Sequence, residues 1–393
     1  MSISSGLNLH KIRILIILSI SSLFVNNCNS QVEESYKTVT HTTNEYTNTN
    51  PYTPVKIDSQ IVFGSKPKNI ILLIGDGMGV AQIYAGMTAN GGQLNLMQMP
   101  ITGFSITACS DNYITDSGAG GTAISTGEKT YYHAIGVNAD TIPVETILEK
   151  SEKEGYKTGL ISTSAITHAT PAAFIAHQKD RSMYEDIAAD FLKTDIDLFI
   201  GGGKKHFESR VDDRNLIDEL KSKGYQVVDS LSEVRNIYQP YAVFTAEIHD
   251  KKYPERGDIL PNATEMALKS LSMDSKGFFI MIEGSQIDWG GHQNDTKYIV
   301  NEMLDFDRAI GKALEFAAKD KNTLVIVTAD HETGGMAITG GSFQQHNIKA
   351  TYASTKHTAI MVPVFAFGPG AEQFSGIYQN NEIYKKMIIL LGF

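Results

Sequence analysis

Short apolar-rich runs recur along the chain, at 69–74, 156–163, 197–200, 225–228, 278–282, 323–327 and 362–367, the first continuously apolar from Ile70 to Ile74. Runs of this length without alternation predict strands buried on both faces. Amphipathic stretches at 143–153, 215–223, 263–271 and 295–318, with a further one at the C-terminus, predict helices between them, and Thr141 is placed to cap the first. Residues 172–181 read as helix or turn. Strands alternating with helices predict an α/β fold with a mainly parallel central sheet flanked by helices on both faces. The small-residue run 118–126 suits a tightly packed helix opening at Ser117. Its free N–H groups and positive dipole end would then face an anion. The polar stretch 341–356 predicts a loop, and the connection from His331 to His357 is the natural lid over an open mouth.

The pattern changes at the N-terminus. His10, Lys11 and Arg13 precede an apolar stretch, 14–25, that falls short of the ~20 residues a membrane helix needs and reads as a secretion signal. Cys28 follows, ahead of a polar tract. Two readings stand: a lipoprotein signal with Cys28 as the lipidated residue, or ordinary signal cleavage nearby. The predicted organisation is 1–28 secretion signal, 29–60 polar tether and 61–393 a single catalytic domain, in a periplasmic protein or one tethered at the outer membrane or cell surface. Of the 393 residues, 42% are hydrophobic, enough for a large core without disulfides, and Cys28 and Cys109 are not a plausible pair. The net charge of −10, with no basic block, excludes a nucleic-acid-binding patch and suits carboxylates that hold metal.

Chemistry collects where the predicted strands end. Asp76 lies between glycines after 69–74, His168 and Thr170 follow 156–163, and Glu283, Asp288 and His292 follow 278–282. Asp330 and His331 follow 323–327, and Arg181, Ser117 and His357 sit in the intervening segments. Strand ends are where open α/β sheets bind ligands. Taken singly, each residue has a plainer role: Asp76 as a turn aspartate, Ser117 as a helix cap, a histidine as core. Together they form a donor set in which imidazoles with carboxylates suit zinc, and carboxylates with a threonine hydroxyl suit magnesium.

The chain from Ile70 onward closely resembles the alkaline phosphatase family, through Ile74-Gly75-Asp76-Gly77-Met78-Gly79, Thr115-Asp116-Ser117-Gly118, Ala169-Thr170-Pro171-Ala172-Ala173, Glu283-Gly284, Asp288 with His292, Thr328-Ala329-Asp330-His331-Glu332 and His357-Thr358. The resemblance implies hydrolysis of small phosphate monoesters through a phosphoserine at Ser117, with two Zn2+ and one Mg2+. Asp288, His292 and His357 would hold one zinc; Asp76, Asp330, His331 and Ser117 the second; and Asp76, Thr170 and Glu283 the magnesium. Arg181 would clamp phosphate beside Asp116, and a homodimer is implied. Two residues depart from the commonest pattern: His168 near the third metal, where many relatives carry aspartate, and Trp289 near the substrate, where several carry lysine or histidine. His168 leaves the third metal's identity open, and Trp289 implies weaker retention of product phosphate. A phosphodiesterase of the same superfamily and a non-catalytic phosphate- or metal-binding surface protein are the competing readings. A sulfatase and a Gly-x-Ser-x-Gly serine hydrolase are disfavoured by the residues around Ser117.

Overall fold

The computed structural model describes residues 43–57, 64–273 and 276–393. The predicted secretion signal with Cys28, and the tether up to residue 42, lie outside them. Strands are β1 (Asn44–Thr47), β2 (Asn69–Gly75), β3 (Ile101–Ile106), β4 (Lys157–Ala165), β5 (Leu198–Gly202), β6 (Gln226–Val228), β7 (Tyr241–Phe244), β8 (Phe278–Gly284), β9 (Thr323–Thr328), β10 (Glu332–Thr333), β11 (Met336–Ser342), β12 (Asn347–Tyr352), β13 (His357–Thr358), β14 (Val362–Phe367) and β15 (Gly376–Gln379).

Ten of these strands form one sheet in the order β15-β3-β14-β9-β2-β8-β4-β5-β7-β6. Only β14 runs antiparallel to its neighbours, so the sheet is mainly parallel as expected. Period-2 alternation along β2 sends Ile71 and Leu73 to one apolar layer and Ile70, Leu72 and Ile74 to the other. The first layer is covered by the helices Val80–Ala89, Ile259–Leu271 and Thr296–Asp320, the second by Ser117–Thr126, Ile147–Lys153, Tyr184–Asp190 and Glu382–Leu391. In register, Ile74 of β2 lies beside Glu283 of β8 and Thr328 of β9, and Ser162 of β4 lies beside Glu283. Asp76, Glu283 and Asp330 therefore leave the sheet at one edge, side by side.

Several sequence expectations are corrected. The helix expected at 143–153 begins at Ile147, because Pro143 is held in a bridge to Val137 and Thr141 sits in a left-handed turn. Thr146 caps it instead, in a reciprocal capping box with Glu149. Half of the expected 341–356 loop is strand: β11 and β12 pair as a hairpin, and β1 adds to its edge. Within the tract read as tether, Asn44–Thr47 form β1, Asn48 donates to the Ala89 carbonyl and the Tyr52 hydroxyl is bonded to Asp307. Helix Val80–Ala89 and strands β3 and β7 were not legible in the pattern.

Candidate metal centre and nucleophile

Ser117 opens a helix buried along its whole length, Ser117–Thr126. The cap is Asp116, not Ser117: its carboxylate accepts from Gly118 N (3.2 Å) and Ala119 N (3.1 Å), and its carbonyl from Gly120 N (2.8 Å). Gly118 N and Ala119 N are thus committed to Asp116, which corrects the expectation for those two donors that they face an anion. Freed from capping, the Ser117 hydroxyl lies 3.2 Å from His331 Nε2.

Asp116 does more than cap. Its carboxylate also accepts from His133 N at 3.0 Å and from Arg181 Nη1 at 2.8 Å. Burial pushes its carboxyl up, but Arg181 and these N–H groups prevail and hold it below the usual range. The second guanidinium nitrogen of Arg181 lies 3.3 Å from His168 Nε2. Arg181 is therefore anchored on one side with its fork turned into a cavity of about 560 Å³, lined among others by Ile114, Asp116, Ser117, Tyr132, His168, Asp288, Trp289, His292, Lys356 and His357. Trp289 forms part of the wall, edge-on to His168 (6.1 Å) and His249 (4.9 Å).

Among the described residues, three groups of side chains have ligand atoms within 4.8 Å of one another: Asp288, His331 and His357; Asp76, Asp330 and His331; and Asp76, His168 and Glu283. His331 Nε2 is 3.3 Å from Asp330 and 3.5 Å from Asp76. His292 Nε2 joins the first group at 3.3 Å from Asp288 and 3.2 Å from His357 Nε2. Thr170 reaches Asp76 Oδ2 at 3.5 Å. His357 arrives by the shortest of ladders, Thr333 of β10 pairing with His357 of β13.

These donors fit cations. Among the described residues, buried Asp76 Oδ1, Asp330 Oδ2, Glu283 Oε1 and His168 Nδ1 have no hydrogen-bond partner, and native interiors rarely leave such atoms unsatisfied. His292 Nδ1 faces the Thr355 carbonyl (2.8 Å) and His357 Nδ1 the Thr115 carbonyl (2.9 Å), which fixes a proton on each Nδ1. Their Nε2 atoms then converge on each other and on Asp288, a contact that needs a proton or a cation among them. Without a cation, burial holds Asp76 well above the carboxylate range, Glu283 at about 7 and Asp330 at about 6, with the neighbouring carboxylates adding to it. Asp288 runs the other way: burial raises it, but hydrogen bonds with His292 and His357 outweigh the burial and hold it well below its usual value. Burial lowers His331 well below the ordinary histidine value, and His168 to about 3, so both rings are neutral and ready to ligate.

Sequence reading missed the residues that hold these donors. Ser162 and Ser285 each donate to Glu283 Oε2 at 2.6 Å. Thr333 donates to Asp288 at 2.5 Å and lies 3.3 Å from His331 Nδ1. Glu332, the neighbour of two ligand candidates, instead braces the turn, accepting from Gln82 at 2.7 Å and from Thr358. The cluster Ser162-Thr163-Ser164 at the end of the predicted strand was the available signal for Ser162.

A family model for alkaline phosphatase matches residues 67–351. Alkaline phosphatase 4 of Bacillus subtilis is 35% identical over 405 aligned residues, covering 80% of this chain and 87% of the relative. The solved alkaline phosphatase of the Antarctic bacterium TAB5 is 42% identical, with a TM-score of 0.79 over 85% of this chain and 99% of its own. A His-to-Asp mutant of the TAB5 protein, 41% identical with the same TM-score and coverage, is described with Mg bound in its M3 site.

Proposed function

Since this chain belongs to the alkaline phosphatase family and is a phosphomonoesterase with metal-binding groups, we propose that Ser117 accepts the phosphoryl group of a small phosphate monoester and yields it to water. The observation that carries the reading is the Ser117 hydroxyl, relieved of capping by Asp116, 3.2 Å from His331 Nε2 at the floor of the Arg181 cavity.

In this reading Asp288, His292 and His357 hold one zinc. Asp76, Asp330 and His331 hold the second, with Ser117 as its further ligand. Asp76, Thr170 and Glu283 hold magnesium, with His168 beside them. When bound, these cations supply Lewis acidity toward the phosphoryl and alcohol oxygens and lower the pKa of hydroxyl groups and water. The residues do the rest. Arg181 takes two phosphoryl oxygens in its planar fork, a geometry lysine lacks. Asp116 holds that fork through Nη1, so phosphate binding orders little that is not already ordered. The Ser117 oxygen attacks phosphorus, the alcohol leaves on the opposite side, and a phosphoserine remains. Water then attacks this ester in line, and inorganic phosphate departs with the Ser117 oxygen restored. Around this core we place secretion directed by residues 1–28, attachment through Cys28 in a periplasmic or surface protein, and a homodimer.

The test is turnover of an aryl phosphate monoester beside the matching diester at alkaline pH, with and without chelator, and with Ser117→Ala. Chelator-sensitive monoester turnover that exceeds diester turnover and falls about a thousandfold or more in Ser117→Ala supports the reading. Faster diester turnover would make the protein a phosphodiesterase, and no turnover with full metal sites would make it a binding protein.

A further inference from the structure

Arg181 sits at one end of a small two-stranded ribbon, and the other end is fastened by a residue outside the cavity. Ile135 and Gln178 exchange both backbone hydrogen bonds, each 2.9 Å. Toward the cavity, Arg181 N donates to the His133 carbonyl at 2.9 Å, and His133 N in turn donates to Asp116. Away from it stands His177. Its Nδ1 meets the Gly136 carbonyl at 2.6 Å and its Nε2 meets Glu149 Oε1 at 2.9 Å. Neither a carbonyl nor a carboxylate donates, so both contacts are made only by the doubly protonated ring. Its backbone N–H is fixed too, on Asp190 Oδ2 at 2.9 Å, the oxygen that also accepts from Gln178 Nε2 at 2.7 Å.

The fastening is built for close approach. Gly136 has φ +57°, and a Cβ there would lie 2.0 Å from the Ala176 carbonyl oxygen. Glu149 is held by its other oxygen to Thr146 N at 2.9 Å, so the carboxylate that grips His177 is part of the cap of helix Ile147–Lys153. The charged groups facing the ring are Glu149 on that helix and Asp190 on helix Tyr184–Asp190, the latter paired with Lys193 at 2.6 Å. Between His177 and Arg181 lies a turn with Lys179 exposed. The main chain of Arg181 therefore depends on the ribbon for its place.

We propose that His177 is a positioning residue for the phosphate clamp, holding the 133–137 and 177–181 ribbon so that the Arg181 fork stays aimed at the phosphoryl site. The inference rests on Arg181 as the clamp. A charge-assisted staple at the far end fixes the direction of the ribbon, and the direction of the ribbon fixes the fork. Loss of the staple weakens phosphate and ester binding together and spares the chemical step at Ser117.

The experiment is inhibition of the metal-loaded enzyme by inorganic phosphate at pH 6.5, in wild type, His177→Gln, Arg181→Ala and the double variant. His177→Gln raises the phosphate inhibition constant and KM each about fivefold with kcat not reduced, and adds less than about twofold in the Arg181→Ala background, as expected of coupled sites. Glu149→Gln, which retains a capping-box side chain, gives the same result should His177→Gln fail to fold. An unchanged inhibition constant in both variants, or an equal loss with the arginine absent, overturns the positioning role. Wild-type phosphate affinity in Arg181→Ala removes the clamp itself, and the inference with it.

Discussion

Trp289 lines the same cavity as Ser117 and Arg181 and brings no charge to it. The indole is instead set edge-on against His168 and His249, and His249 is fixed by accepting from Ala165 N at 3.0 Å. Trp289→Lys therefore adds a cation to a site with an opening to solvent, and the inhibition constant for phosphate should fall by about threefold to tenfold, a charge contact of roughly 1 kcal/mol. Product release should slow with it. A phosphate inhibition constant unchanged in Trp289→Lys but tightened in Trp289→Ala would show that the indole acts by bulk alone. Residues of this kind were legible because their types are rare at strand ends. Thr333 was not, since a threonine beside a ligand histidine looks like any strand residue. Its hydroxyl orients Asp288 and borders His331, so Thr333→Val, equal in shape, should lower zinc affinity by about tenfold to a hundredfold, measured by competition with a chelator. Full affinity in that variant would leave the hydroxyl without a role at the metals.

The central elements were the easiest to read. The runs in β2, β8 and β9 are apolar throughout because both faces are covered, and no half-polar alternation confuses them with surface strands. The hairpin β11–β12 was misread for the opposite reason. Its burial alternates and its sequence is polar with glycines in β11, and its outer edge is covered only by β1, more than two hundred residues away in sequence. The junction between helix Ile147–Lys153 and the Arg181 ribbon carries its own pH signature. Burial opposes charge on His177, but the bonds to Glu149 and Gly136 prevail and raise it above 6.5. Burial likewise opposes charge on Glu149, and His177 with Thr146 lowers it below 4.5. The raised histidine stabilises the fold fully below pH 6.5 and loses this as pH rises through its folded value. The lowered glutamate contributes fully above pH 4.5 and loses this on acidification. The pair thus contributes most between those values. His177→Gln should melt several degrees below wild type near pH 6 and close to it at pH 9, by thermal unfolding of metal-loaded protein. An equal deficit at both pH values would mean that the ring acts by packing, not charge.

At the scale of the molecule, the sheet gathers more buried acid at one edge than the protein alone can keep ionised. The ordered motifs made this edge legible in the sequence. Its electrostatic state was not, since that follows from burial at the crossing of β2, β8 and β9. In the folded protein without metal, Asp330 keeps its proton to about pH 6, Glu283 to about 7 and Asp76 well above the carboxylate range. Burial opposes a proton on His357 but Asp288 prevails, and with His292 also paired to Asp288, both rings hold protons above the ordinary histidine value. His331 and His168 are neutral at every pH of interest and have no proton to lose. Each cation needs its own donors deprotonated, so filling the groups expels protons from Asp76 and Asp330, from His292 and His357, and from Glu283, and from neither of the neutral rings. Apparent zinc affinity of the stripped protein should then rise by more than about tenfold per pH unit from about pH 5.5 to 7.5, each tenfold step corresponding to one proton released. Calorimetry in buffers of different ionisation enthalpy counts those protons directly. Release of more than one proton at pH 6 ties the acidity of the edge to its occupancy by metal, whereas zinc binding without proton release would mean that these carboxyls are already ionised in the empty fold, and that water or neighbouring dipoles hold charge there.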